Sequence, residues 1–316
     1  MRVVKKDRKA LDFSSEKEYH YHTPVLMHEV LKYMNIKPGA HFLDVTFGGG
    51  GHSSALLDAD ATVQVTGLDW DKYSVKRAAT LQENYGDRLQ IINGNFAHLY
   101  ALVKKYNLPS FDGILADFGT SQFQIYERDG FSFSYDTRLD MRMSQRHYTV
   151  TAEDIVNRAS EEELATIFWQ YGEERYGRRI ARAIVYARNE QKIRTTGRLA
   201  DIVKHAVGSM TKGSKIHPAT RVFQALRIVV NKELDNITAF LPVAFEQLKP
   251  GGRLLCISFH SLEDRLVKQF VKKIEKEDKG VAVVDGIVTP SAEEIQTNNA
   301  SRSAKLRILE KKYGNI

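Results

Sequence analysis

The chain has 316 residues, 42% of them hydrophobic and 27% charged, with 21 glycines and seven prolines. That composition excludes global disorder, collagen and a coiled coil, and it leaves room for two domains or one large α/β domain carrying an insertion. The formal charge of +7 is unevenly spread: residues 172–232 hold 14 Lys or Arg against four acids, a local +10 that leaves −3 for the remainder. A basic block in an otherwise mildly acidic protein suits a polyanion, and nucleic acid is the commonest one. No apolar run approaches the ~20 residues that span a bilayer. The polar opening MRVVKKDRKALDFSSEKEYH has neither the apolar stretch nor the cleavage site of a signal peptide. A cytoplasmic location and no membrane role are expected. The single cysteine, Cys256, excludes an intrachain disulfide, and without Cys/His clusters at zinc-ligand spacing no metal is expected. The paired His20 and His22 lack a third ligand.

After a polar tail over 1–21, residues 38–119 alternate short β-rich runs with stretches of helix length. Strands are predicted at 40–47, 62–69, 89–94 and 111–119, the pattern of a parallel α/β sheet. From about 126 to 217 the alternation stops, and amphipathic helices are predicted instead, including 151–172 and 173–190. Strand character returns at 251–260 and 303–312. The expected organisation is a sheet domain built from 22–125 and 218–316, interrupted by an all-helical insert at 126–217.

The first strand runs through Asp44 into Gly48-Gly-Gly-Gly51-His52-Ser53 and then a helix. Glycines let a ligand lie against the backbone, and a helix start offers N–H groups; an ordinary strand-to-helix turn is the plain alternative. Asp69 closes the next strand, where an acid in a doubly wound sheet hydrogen-bonds ribose hydroxyls. The pair fits NAD(H) or S-adenosylmethionine. The glycines lack the G-x-G-x-x-G spacing preferred for pyrophosphate, and the carboxylates suit a cationic cofactor, which favours the methyl donor over a nicotinamide-dependent oxidoreductase. Phe96 after the third strand could pack on adenine or be an ordinary core residue. Asp117 ends the fourth strand at the expected switch point of the sheet.

These residues sit within a longer resemblance. HTPVLMHEVL (22–31), GGHS (50–53), GFSF (130–133), LDMRM (139–143), YGEERYGRRIARAIV (171–185), HPATRVFQALRIVVN (217–231), FHSLEDRLVK (259–268) and RSAKLR (302–307) together resemble the bacterial ribosomal RNA small-subunit methyltransferase H family. The resemblance implies a class I S-adenosylmethionine-dependent methyltransferase sheet, Rossmann-like, with the helical insert recognising substrate. The activity it implies is methylation of the N4 amine of a cytidine near the decoding centre of 16S rRNA. The implied partners are the small ribosomal subunit and a second copy of the chain in a homodimer. Gly50, Gly51 and His52 would contact the cofactor, Asp69 would hold its ribose, Phe96 and Asp117 would border its adenine end, and Gln124 would complete the pocket. The chain departs from the family pattern at Thr120 to Phe123 and at Asp136-Thr-Arg138. The first departure leaves room for a second reading, a catalytically weak RNA-binding ribosome-assembly factor on the same fold.

Methyl transfer to an exocyclic amine needs no covalent enzyme intermediate, but the delocalised N4 lone pair must be oriented and its proton accepted. Asp117 and His260 are the candidate catalytic residues, with Ser261 and Asp264 beside them; the alternative is that Ser-Leu-Glu-Asp after His260 caps a helix. In the insert, Arg175, Arg178, Arg179 and Arg182 are expected within about a 100° arc of one helix opposite Ile180 and Ile184. With Arg221 they form the expected RNA-binding set; a solvated face with Glu174 paired to Arg178 is the alternative. Met141 and Met143 read as packing residues.

Overall fold

The computed structural model describes residues 24–70, 72–119, 128–208, 210, 211, 213 and 216–313. His20, His22, the segment Thr120 to Phe123 and Gln124 lie outside them. The chain divides into two compact units, one over Thr120–Glu233 and one over Glu18–Gly119 with Leu234–Ile316.

The sheet unit contains β1 (His41–Asp44), β2 (Gln64–Asp69), β3 (Leu89–Asn93), β4 (Phe111–Asp117), β5 (Leu248–Ser258), β6 (Gly280–Ala282) and β7 (Lys305–Lys311), ordered 3-2-1-4-5-7-6. The first five run parallel, and β7 runs antiparallel to both β5 and β6. This order, with a reversed strand inserted beside β5, is the class I S-adenosylmethionine-dependent methyltransferase fold. Parallel strands covered on both faces must be apolar on both, and β5 shows it: Leu254 and Cys256 enter one core cluster, Leu255 and Ile257 the other. In the first part of the unit α1 (Met27–Tyr33) precedes β1, and α2 (Gly51–Ala59), α3 (Lys72–Tyr85) and α4 (Leu99–Tyr106) connect the strands.

The helical unit holds α5 (Ala152–Arg158), α6 (Glu161–Gly172), α7 (Gly177–Glu190), α8 (Thr196–Val207) and α9 (Thr220–Asn231). After it come α10 (Glu233–Glu246), α11 (Ser261–Lys276) and α12 (Ala292–Thr297). The helix predicted over 151–172 is two helices. Ser160 and Glu163 form a second capping box after that of Thr151 and Asp154, and a new cap satisfies the N–H groups that a helix start leaves bare. The predicted end of the insert at 217 is too early. Val222, Phe223, Ala225 and Leu226 of α9 belong to the core formed by Phe168, Ile180, Ile184, Leu199 and Val203. Helix α6 meets α9 where Gly172 stands 2.6 Å, at the position of an added Cβ, from the Arg221 carbonyl oxygen. Only glycine allows that approach.

Met141 and Met143 are buried, as expected. No described helix is long and apolar enough to cross a membrane. Neighbouring positions on α6 separate packing from propensity: Phe168 is fully buried while Trp169 is 65% exposed. Phe168→Ala is expected to cost about 3–5 kcal/mol and Trp169→Ala about 0.5 kcal/mol or less, read from urea unfolding of the full chain.

Candidate functional site

Strands β1 and β4 lie side by side, but the chain leaves β1 towards β2 on one side and enters β4 for β5 on the other. A doubly wound sheet opens a crevice there, at the carboxyl ends of the strands. Asp44, Asp69 and Asp117 are the last residues of β1, β2 and β4.

Asp44 is buried and organises the loop. Its Oδ2 accepts a hydrogen bond from Ser53 Oγ at 2.7 Å and its Oδ1 one from the Thr46 N–H at 3.1 Å. Thr46 Oγ1 then accepts from the Asp117 N–H at 2.8 Å, tying the loop to the end of β4. On the other side the Gly48 N–H donates to Asp69 Oδ2 at 2.8 Å. Asp69, the expected ribose partner, therefore also holds the glycine loop against β2.

The four glycines have different jobs. A Cβ at Gly50, whose φ is +79°, would meet Leu81 Cδ1 at 2.5 Å, and one at Gly51 would collide with Pro24 Cγ. These two allow close packing of the loop and of the start of α2, and the Gly50 N–H is spent on the Phe47 carbonyl at 2.7 Å. At Gly49 a Cβ would meet nothing within 4 Å. The backbone that a ligand can approach is thus centred one residue earlier than Gly50 and Gly51.

His52, in the first turn of α2, is 7% exposed, and its Nε2 stands 3.7 Å from Asp117 Oδ2. Neither ring nitrogen has a hydrogen-bond partner, and neither does buried Asp117 Oδ1. Buried polar atoms are normally satisfied, and no described residue supplies a partner to this set, which leaves it open to a polar group of a ligand. Ser258 ends β5 with a buried, unpartnered hydroxyl. Sequence patterns do not single out Ser258, Thr46 or Ser53; a polar residue closing the apolar run Leu254-Leu-Cys-Ile257 is the available signal for the first.

Phe96 is half-buried after Asn95, whose side chain accepts from the Ala97 N–H. Its ring lies 5.4 Å from that of Phe240 and 6.0 Å from that of Phe118, so part of the ring surface is spent on the core. His260 is the N-cap of α11. Its Nδ1 accepts from the Glu263 N–H at 3.4 Å, while Glu263 Oε2 accepts from the Phe259 and His260 N–H groups. An accepting Nδ1 places the proton of a neutral ring on Nε2, which lies 3.2 Å from Glu263 Oε1. The geometry gives His260 the capping role. Ser261 is the first residue of that helix. Asp264 accepts from Arg307 at 2.7 and 3.2 Å, joining α11 to β7 in a structural ion pair. Cys256 is buried in β5, and burial pushes its thiol far above the ordinary range, so it supplies no nucleophile.

In the helical unit, α7 begins at Gly177, which leaves Arg175 outside the expected helical arc. Arg178, Arg179 and Arg182 share one exposed face while Ile180 and Ile184 are buried. Glu174 does not pair with Arg178 along a helix; its Oε1 accepts from the Tyr176 N–H at 2.9 Å. Arg182 pairs with Glu161 at 3.3 Å. Arg221 donates to the Glu173 carbonyl at 3.1 Å, capping the end of α6. That hydrogen bond gives it a structural job and leaves its charge and its other donors unspent.

Burial raises the pKa of Asp44, against the opposing pull of His52, the Ser53 hydroxyl and the Thr46 N–H. The folded state therefore binds this proton more tightly than the unfolded chain. The residue weakens the fold at pH above its raised titration range, and that cost is relieved as pH falls through the range. Urea unfolding of the unliganded protein should show the native chain gaining stability relative to Asp44→Asn on acidification; parallel stability curves would contradict the assignment.

A family model described as the MraW methylase family matches residues 19–312. The ribosomal RNA small subunit methyltransferase H of Cyanothece sp. is 47% identical over 295 residues, covering 92% of this chain and 94% of that protein. The protein of the same name from Coprothermobacter proteolyticus is 44% identical over 299 residues, covering 94% of this chain and 98% of its own. With sheet and insert both inside the matched span, the chain belongs to the MraW methylase family.

Proposed function

We propose that the chain transfers a methyl group from S-adenosylmethionine to the N4 amine of a cytidine in 16S rRNA, near the decoding centre of the small ribosomal subunit. The observation that carries the reading is the unpartnered His52 and Asp117 pair at the switch point of the sheet, in a chain whose relatives carry the small-subunit rRNA methyltransferase name. The crevice residues fit that cofactor: buried acceptors on Asp117 and His52 suit ammonium, amino and hydroxyl groups, Asp69 suits a ribose, and open backbone at Gly49 allows close approach. Gly50, Gly51, Phe96 and Gln124 complete the proposed set by resemblance.

The cofactor supplies a methyl group on a sulfonium, a leaving group that departs as a neutral thioether. The protein must hold the N4 lone pair in line and exclude water. Asp117 is suited to accept a hydrogen bond from the amine on Oδ1, which turns the lone pair towards the methyl carbon. On taking the methyl group that the cofactor would supply, the amine would give up a proton. Asp117 would accept it, with His52 Nε2 at 3.7 Å from Oδ2 helping to hold the carboxylate in place. His260 acts one step removed, by fixing the start of α11. Arg175, Arg178, Arg179, Arg182 and Arg221 supply the cationic groups for rRNA phosphates, Arg221 while also closing the end of α6.

Incubating the protein with labelled S-adenosylmethionine and small subunits lacking this modification should yield N4-methylcytidine on nucleoside analysis. No label, with cofactor binding intact, would favour the assembly-factor reading. Asp69→Ala should weaken cofactor binding by about tenfold or more, because it removes at least one charged hydrogen bond worth ~1.5–3 kcal/mol; unchanged affinity in a direct titration would remove Asp69 from the site. Reversing Arg178 and Arg182 to Glu should reduce the salt dependence of rRNA binding by roughly 0.7–0.9 in slope for each phosphate that the variant no longer neutralises.

A further inference from the structure

The helical unit contains a groove that lies wholly within it, about 910 Å³ in volume, between α7 and α8. Its α7 wall carries Arg179, Arg182 and Tyr186, and its α8 wall Arg198, Asp201 and His205. Positions 179, 182 and 186 follow the helical repeat and so form one stripe, with Tyr186 69% exposed at its end. The cations beside it are partly committed. Arg179 Nε donates to the Ala206 carbonyl at 2.5 Å. An Nη of Arg198 donates to the Ala187 and Gln191 carbonyls at 3.5 and 3.4 Å, near the end of α7. The Arg198 Nε–H, however, is buried with no acceptor. One buried donor is thus left unsatisfied in a groove that also presents an acceptor, Asp201.

We infer that this groove binds a base of single-stranded rRNA, stacked on Tyr186, with the adjoining phosphates on Arg179 and Arg182. The inference rests on the rRNA reading above and adds a subsite to it. A stack of aromatic ring and guanidinium groups is how proteins hold single-stranded nucleic acid. The exposed carboxylate of Asp201 beside the groove's arginines supplies the mixed donors and acceptors that a base edge requires, whereas a groove for phosphate alone would have no use for Asp201 in its wall; Asp136 is already spent on the Gly197 N–H at 2.8 Å. The surrounding +10 segment, residues 172–232, supplies the attraction that brings a polyanion to this face.

The test is the rate of methyl transfer to unmodified small subunits as a function of their concentration, with filter binding of protein-free 16S rRNA alongside. Tyr186→Ala, at an exposed helical position where alanine keeps the helix, should raise KM and weaken rRNA binding about tenfold with kcat unchanged. Tyr186→Phe should restore both to within about threefold, and Trp169→Ala, on an exposed face of α6 outside the groove lining, should change neither. If the native chain transfers methyl and Tyr186→Ala leaves KM and rRNA binding as they were, the groove is not an RNA subsite. If KM rises on particles while binding of protein-free rRNA is unaltered, the occupant is a ribosomal protein and the base assignment is overturned. If the native chain transfers no methyl but Tyr186→Ala still weakens rRNA binding, the subsite stands and the proposed activity falls. A loss in Tyr186→Phe equal to that in Tyr186→Ala would overturn stacking as the mode of binding.

Discussion

A buried carboxylate that must be satisfied governs the site. Asp44 stands where β1 gives way to the glycine loop, and burial makes its charge costly. It is held by the Ser53 hydroxyl from α2 and the Thr46 N–H from the loop, and Thr46 in turn takes the N–H of Asp117. Three elements are thereby fixed to one another at the point where the sheet changes winding direction. The same loop is drawn to β2 by the Gly48 N–H on Asp69. With the loop pinned on both sides, the backbone that carries His52 and Asp117 is fixed, and their unpartnered polar atoms stand 3.7 Å or more apart in the crevice. Preorganisation of this kind is what a methyl transfer without covalent catalysis needs, since alignment supplies most of what the protein can contribute.

The helical unit follows a different logic. It buries a core of its own, from Leu139 through Phe168, Ile184 and Val203 to Leu226, and each of its helices has one apolar stripe to spend on it. What is left outward is strongly basic on α7. Several arginines of that segment are nonetheless structural. Arg188 donates to the Val156 and Ala159 carbonyls, Arg221 to Glu173, and Arg227 pairs with Glu233 at 2.9 Å. A charge count along the sequence cannot separate arginines that close helix ends from those that face solvent, because both use the same guanidinium and differ only in whether a bare carbonyl lies within reach.

Much of the fold is legible in residue patterns. The five parallel strands announce themselves as apolar runs ending in Asp, Asn or Ser, because burial on two faces leaves few other residue types. The three-residue β6 escapes such patterns: a strand that short carries no periodicity, and it exists because β7 offers an edge to pair with. The break at Ser160 is encoded in its capping residues, but a continuous amphipathic pattern across 151–172 masks it. The end of the insert is misplaced from sequence because α9 is as apolar as a sheet-covering helix, and only its neighbours reveal which core it fills. In the site, the strand-end carboxylates are identifiable from their positions and His52 from the family resemblance, whereas Ser53 and Thr46 are not. Ser258 shows only as a polar residue closing an apolar run, and a hydroxyl inside a loop or helix has no signal in sequence until its partner is seen.

The sequence by itself determined the class of the sheet, the position of the glycine loop, the strand-end acids and the basic character of the insert, because each follows from local periodicity, from turn chemistry or from a sum over charges. Tertiary structure decided which glycines leave backbone open and which only allow packing, that His260 caps a helix and Asp264 anchors one, and which arginines remain outward. Those outcomes depend on atoms brought together from distant parts of the chain. A hydrogen bond or a close packing interaction acts over a few ångströms of space, whatever the separation along the chain.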